Sequence, residues 1–269
     1  MISKTIRIAS MIVLTTFAVS SAAWAATCSN ASLSGTYGFL HGGTDAAGQP
    51  TATVTQITFD STTATFTTVD TSSHDGVITP ESSTGTYAVA SNCTATNTFT
   101  IGGGISFVVT PTGFLAGGGP HEGVTVDGFG VKQGSPTCTD AGLEGSFGFE
   151  ATGVFLAGAP VTGPVALIGE LKLTVNPSGY GVISGHIAGS EDGTTLMFAE
   201  EPVTGYYTVD TDCRGRATIK PKGLSEMHFS LVVANDGKEM LGIETDADTV
   251  VSGTVVDARR THVTRFSGD

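Results

Sequence analysis

Residues 33–40 read LSGTYGFL and residues 143–150 read LEGSFGFE, nearly the same word at an offset of 110. A chain that repeats itself in this way is constrained to fold the same way twice. The repeat extends well beyond one word. Cys28 and Cys138 share the offset of 110. Gly85-Thr86-Tyr87-Ala88-Val89, leading to Cys93, is matched by Gly205-Tyr206-Tyr207-Thr208-Val209, leading to Cys213, at an offset of 120. Phe107-Val108-Val109 then matches Leu231-Val232-Val233, and Gly128 matches Gly253. Landmarks that keep one order along the chain indicate a duplication. The larger second offset indicates an insertion in the second unit. The boundaries predicted are a leader over 1–25, a first unit over 26–135 and a second over 136–269, with both units of ordinary domain size.

Both units read as strands. Side chains two apart in a strand share a face, so Tyr37 pairs in direction with Phe39, and Phe147 with Phe149. Gly38 and Gly148 fall on the opposite face, where a missing side chain permits a bend or a close neighbour. TATVTQITFD (51–60) alternates and sets Val54 against Ile57 and Phe59. TATFTTVDT (63–71) is β-branched and aromatic. In the second unit Leu171, Leu173 and Val175 share a face, and Asn176-Pro177-Ser178-Gly179 supplies a turn. No window after the leader carries a helical stripe. The spacing gives about seven or eight strands per unit. The fold class predicted is all-β, two tandem antiparallel meander β-barrels, since closure removes sheet edges. An immunoglobulin-type sandwich competes, but it would place a Trp between its cysteines, and the single Trp24 lies in the leader.

The leader has the pattern of a secretory signal peptide. Lys4 and Arg7 precede the apolar run MIVLTTFAVS (11–20), and Ala23-Trp24-Ala25 fits an A-x-A cleavage site. A secreted or periplasmic location follows. After cleavage the 12 Lys+Arg fall by Lys4 and Arg7 to 10 against 25 Asp+Glu, a net charge of −15. Such a chain repels phosphate backbones, so nucleic acid is excluded as a partner. No membrane span remains. The charge is uneven, with Lys132 the only base between 26 and 137. A surface so thinly charged does little to oppose self-association.

An even number of cysteines in an exported chain points to disulfides. Of the three pairings open to Cys28, Cys93, Cys138 and Cys213, the repeat favours Cys28–Cys93 and Cys138–Cys213, with pairing across the units as the competitor. Without C-x-x-C, neither a zinc ribbon nor a thioredoxin-type centre is indicated.

The order of these motifs resembles a group of uncharacterised exported bacterial proteins: a cysteine, G-[ST]-[YF]-G-F, a Gly-rich meander, G-x-Y-x-V-x-x-x-C, an apolar strand and a closing Gly. Those proteins are similar to small calycin-like barrels, in layout like lipocalins and allene oxide cyclase. The resemblance implies a fold and transfers no catalytic residue. The lipocalin G-x-W is missing.

Chemistry is thinly signalled. His41, His74, His121, His186, His228 and His262 show no metal-ligand spacing and read as solvated loop residues. Ser184 near His186 does not make a triad. Glu200-Glu201 reads as a pair of solvated acids in the insertion before Pro202. The run Glu244-Thr245-Asp246-Ala247-Asp248 could offer calcium ligands but lacks the EF-hand glycine and distal Glu, and reads as an acid-rich hairpin loop. The triple glycines at 102–104 and 117–119 read as turns, not phosphate loops. No catalytic residue, metal or cofactor is expected. An outer-membrane barrel is disfavoured by strands that look short for spanning and by the cysteines.

What remains is the inside of the barrels. Tyr37, Phe39, Tyr87 and Phe107 are candidate interior ligand contacts in the first unit, and Phe147, Phe149, Tyr207 and Phe229 in the second. An eight-stranded barrel is filled by side chains or holds one small ligand. A buried tyrosine hydroxyl needs a partner, which a ligand or water could supply. The function expected is a non-catalytic exported protein with an envelope, surface or extracellular interaction role, with self-association open to it. The alternative is a binder of small apolar ligands, and behind it a barrel-pocket isomerase.

Overall fold

The computed structural model describes residues 27–259 except 122–123, 135–137, 160–161, 192–194 and 224. The leader and His262 lie outside the described residues. The first barrel is built from β1 (Gly35–Asp45), β2 (Pro50–Asp60), β3 (Thr65–His74), β4 (Val77–Val89), β5 (Thr94–Phe99), β6 (Ser106–Thr110), β7 (Gly113–His121) and β8 (Val124–Lys132). The second is built from β9 (Gly145–Phe155), β10 (Gly163–Val175), β11 (Gly181–Glu191), β12 (Thr195–Val209), β13 (Arg214–Pro221), β14 (Met227–Ala234), β15 (Glu239–Glu244) and β16 (Thr249–Asp257). Each sheet runs in sequence order, antiparallel throughout, and closes on itself. The first closes with Leu40 opposite Phe129, the second with Glu150 opposite Thr254.

Alternation decides what fills each barrel. Tyr37, Phe39, Ile57, Phe59, Phe66, Tyr87, Phe107 and Phe114 form one buried cluster. Phe147, Phe149, Leu171, Leu173, Ile183, Tyr207, Phe229 and Leu231 belong to the other. Just before its first strand each barrel has a 3-10 turn, Asn30–Leu33 and Asp140–Leu143, whose leucine is buried. The disulfides are Cys28–Cys93 and Cys138–Cys213, with Cα atoms 5.0 and 4.9 Å apart. Each ties the segment ahead of the 3-10 turn to the β4–β5 or β12–β13 connection.

Several features differ from the sequence reading. Strands of 9 to 15 residues predominate, so they are not short: about 9–11 tilted residues cross a bilayer. What argues against a lipid-facing wall is the outer face of β3 to β5, which carries Thr65, Thr67, Thr71, Thr84, Thr86, Thr94, Thr96 and Thr98. The extra residues of the second unit are not one loop. They are shared between longer strands, such as the 15 residues of β12 against the 13 of β4, and longer connections, such as residues 156–162 against 46–49. Glu200 and Glu201 therefore lie within β12. His41, His74, His121, His186 and His228 are on strands, not loops.

The barrels are joined by a third apolar cluster. Leu40, Ala52 and Val54 on the outside of β1 and β2 pack on Val232, Leu241, Ile243 and Val250 on the outside of β14, β15 and β16. Gly38 makes the close approach possible, because a Cβ there would lie 3.0 Å from Val232 Cγ1 and 3.2 Å from Leu241 Cδ1. Polar groups at the border are paired. Gln133, buried just after β8, donates from Nε2 to the Val233 carbonyl at 3.0 Å, and its own carbonyl accepts from the Asp236 N–H at 2.8 Å. The Ser73 hydroxyl donates to the Thr249 carbonyl at 2.6 Å, and Ser230 donates to Thr71 at 3.0 Å. Gln56 binds both Gln133 and the Asp212 carbonyl.

Candidate functional site

All eight candidate interior residues point inward and are buried. In the first barrel they leave little room. Phe59 touches Tyr37, Phe66, Tyr87, Phe107 and Phe114, with ring centroids 4.9 to 6.2 Å apart. Edge-on and tilted contacts of this kind are favourable ring geometries and fill space well. Lys132 at the barrel end sits 5.8 Å from the centre of the Tyr37 ring.

The second barrel has fewer aromatic rings inside, and a cavity of about 50 Å³ remains. Phe149, Leu171, Ile183, Tyr207, Phe229 and Met240 are among its lining. The Tyr207 phenol is the only ionisable group of that lining. A cavity of about 150 Å³ accepts a benzene-sized molecule, and ligand pockets usually run to about 300–1,000 Å³. The space inside is therefore a packing remnant in this conformation.

Two of the three buried tyrosines, Tyr87 and Tyr207, hydrogen-bond to the protein through their hydroxyls. Tyr87 Oη donates to the Asn30 carbonyl at 3.1 Å, while the Asn30 side-chain oxygen accepts the Val89 N–H at 2.8 Å. The second unit repeats this pair of bonds: Tyr207 Oη to the Asp140 carbonyl at 2.8 Å, and the Val209 N–H to Asp140 Oδ1 at 2.6 Å. Burial, helped by the nearby Asp140 and Glu144 charges, pushes Tyr207 up to about 12. These hydroxyls tie the 3-10 turn to the wall, so they do not await a ligand. The partners were missed in the sequence because one is a backbone carbonyl in each case.

The acid-rich run divides by direction. Glu244, the last residue of β15, shares the inward direction of Met240 and is only 3% exposed, with Oε2 unpartnered. Burial, then the Asp246 charge and a hydrogen bond with that carboxyl, raise its pKa to about 8. It is thus a neutral acid at pH 7 and not a solvated one. Asp246 lies in the β15–β16 connection and holds His228, accepting its N–H at 2.8 Å and its Nδ1 at 2.7 Å. Alternation at the end of a buried strand was the available signal for Glu244. Among the described residues no three His, Cys, Asp or Glu side chains gather as a metal-binding group.

A larger space lies outside, in the cleft between the barrels. It measures about 990 Å³ and is walled by Val69, Ile78 and Pro80 of the first barrel and Tyr206, Arg216 and His228 of the second. Tyr206 is 57% exposed there. Domain borders of this kind are common binding positions.

No family model matches the chain, and no curated protein matches it. Solved structures similar to it include a protein of unknown function of the DUF3598 family from Nostoc punctiforme (11% identity, 85% of this chain and 97% of that one, TM-score 0.27). A putative AttH from Nitrosomonas europaea is similar at 7% identity, with coverage of 84% and 93% and a TM-score of 0.28. CghA is similar at 11% identity, with coverage of 84% and 89% and a TM-score of 0.27. Likeness at this level says nothing of activity.

Proposed function

We propose that this is an exported, non-catalytic protein with an envelope, surface or extracellular interaction role. Its two barrels serve as one rigid body that acts through its exterior. The observation that carries this reading is the contrast between an interior space of about 50 Å³ and an outer cleft of about 990 Å³. Both disulfides suit an oxidising compartment, in line with the leader read from the sequence. Among the described residues no helix is long and apolar enough to cross a membrane.

The almost wholly apolar cavity of the second barrel, with the Tyr207 phenol its one ionisable lining group, favours a second reading, a container for a small apolar molecule. The two readings separate in a thermal-shift titration with benzene, a medium-chain fatty acid and anilinonaphthalene sulfonate. The exterior reading expects no saturable rise in Tm. A saturable rise abolished by filling the cavity, as in Ala217→Leu, would establish the container instead.

A further inference from the structure

Five outward residues of the first barrel stand opposite one another in one continuous row. Val54 faces Leu40, Leu40 faces Phe129, Phe129 faces Leu115, and Leu115 faces Val108, across β2, β1, β8, β7 and β6. The Val54–Leu40 end is covered by the second barrel, and Phe129 packs at the edge of that interface. The other end is bare, with Leu115 57% and Val108 47% exposed.

The repeat shows what such positions do when covered. The matching row in the second barrel is Ile168, Glu150, Thr254, Leu241 and Val232. Leu241 and Val232 are the counterparts of Leu115 and Val108, and they are 0% and 2% exposed because β1 and β2 cover them. The first barrel therefore presents, uncovered, a pair of positions that its twin buries in a barrel–barrel interface.

A head-to-tail chain of molecules would cover that pair with the β9–β10 face of the next copy. That face carries Glu150 where β1 has Leu40, and Glu170 where β2 has Gln56. Burying two carboxylates against an apolar face is strongly unfavourable. Among the described residues the β6–β7 face itself has no such block. Its outward neighbours include Thr94, Thr96, Ser106 and Thr110, and among the described residues the adjoining outward charge on β8 is Asp127.

We propose that a second copy of this chain docks on this face in a two-fold arrangement, Leu115 and Val108 of one molecule against the same pair of the other. Isologous contact of one patch with itself is the commonest form of oligomer. The proposal rests on the exterior reading above and names one partner for it.

Sedimentation velocity of the mature protein over a dilution series is the test. A monomer–dimer equilibrium is expected, weakened roughly a hundredfold or more by Leu115→Glu, since each dimer would bury two unpaired carboxylates. Ile168→Glu, on the exposed counterpart of Val54, should leave it unchanged. Both positions are exposed, so circular dichroism and Tm should match the parent and separate loss of docking from loss of fold. A parent that stays monomeric overturns the dimer, as does a dimer indifferent to Leu115→Glu. Open-ended assembly broken by Ile168→Glu overturns it in favour of a head-to-tail chain. None of these results touches the exterior reading, which falls only to a ligand found inside a barrel.

Discussion

Gly38 lies so close to Val232 that a single added carbon would come within 3.0 Å of its Cγ1. The two residues belong to different barrels, and the contact turns two closed sheets into one body. Its repeat counterpart Gly148 is exposed, and a Cβ there would meet only the Val256 carbonyl at 3.9 Å. The same residue in the same strand thus does different work in the two units.

Replacing each glycine separates these roles. Gly38→Leu should lower stability by about 1–3 kcal/mol, as overpacking does, and should uncouple the barrels so that calorimetry resolves two transitions. Gly148→Leu should leave one transition within about 0.5 kcal/mol of the parent. Equal effects at the two positions would show that the interface is not where the close approach matters.

The tyrosines give a second expectation. Tyr207→Phe removes the hydrogen bond to the Asp140 carbonyl and leaves that acceptor near the barrel end. A loss of about 1–2 kcal/mol in a urea melt is expected, and a similar loss for Tyr87→Phe. A gain in stability would mean that the hydroxyl is poorly satisfied and free for another partner.

Glu244 makes stability fall with rising pH. Its folded pKa of about 8 lies above the ordinary 4.5, so the folded chain keeps a proton that the unfolded chain releases. The contribution is complete below pH 4.5, declines through the window up to about 8 and is gone above it. The slope within that window reaches about 1.4 kcal/mol per pH unit for one proton. Urea melts from pH 5 to 9 should show this slope, and Glu244→Gln should flatten it. A slope that survives the substitution assigns the titration to another group.

Each disulfide closes a long loop, with sequence separations of 65 and 75. Chain entropy assigns each about 4 kcal/mol. Replacing Cys28 and Cys93 together by Ser should cost about that much, and so should replacing Cys138 and Cys213. A drop near zero would mean that the unfolded chain already holds those ends together.

Much of this architecture was legible in the sequence. The i, i+2 aromatics of Tyr37-Gly38-Phe39 and Phe147-Gly148-Phe149, and the recurrence of each cysteine, defined two units and their pairing, because strand period and duplication are local and countable. Alternation also set Val54 against the inward Ile57 and Phe59, and the repeat matched Val232 to Val108. Neither could say that Val54 and Val232 meet, since the partner of an outward side chain depends on how two finished barrels dock. Leu40 and Leu241 were therefore given no role before the docked barrels showed one. Glu244 was hidden among acids that are solvated, because one residue of strand direction decides whether a carboxylate faces water or core. The hydroxyl partners of Tyr87 and Tyr207 were illegible for a different reason: backbone carbonyls carry no sequence signature.

The most direct test of the exterior account is the mass of the protein exported from a bacterial host, measured natively and then after denaturation. The denatured chain should begin at Ala26 and lack four hydrogens, one pair for each disulfide. The native ion should have that mass, or twice it, with nothing else bound. A native ion that carries a small apolar molecule, released on denaturation, would contradict the account and make the barrels containers.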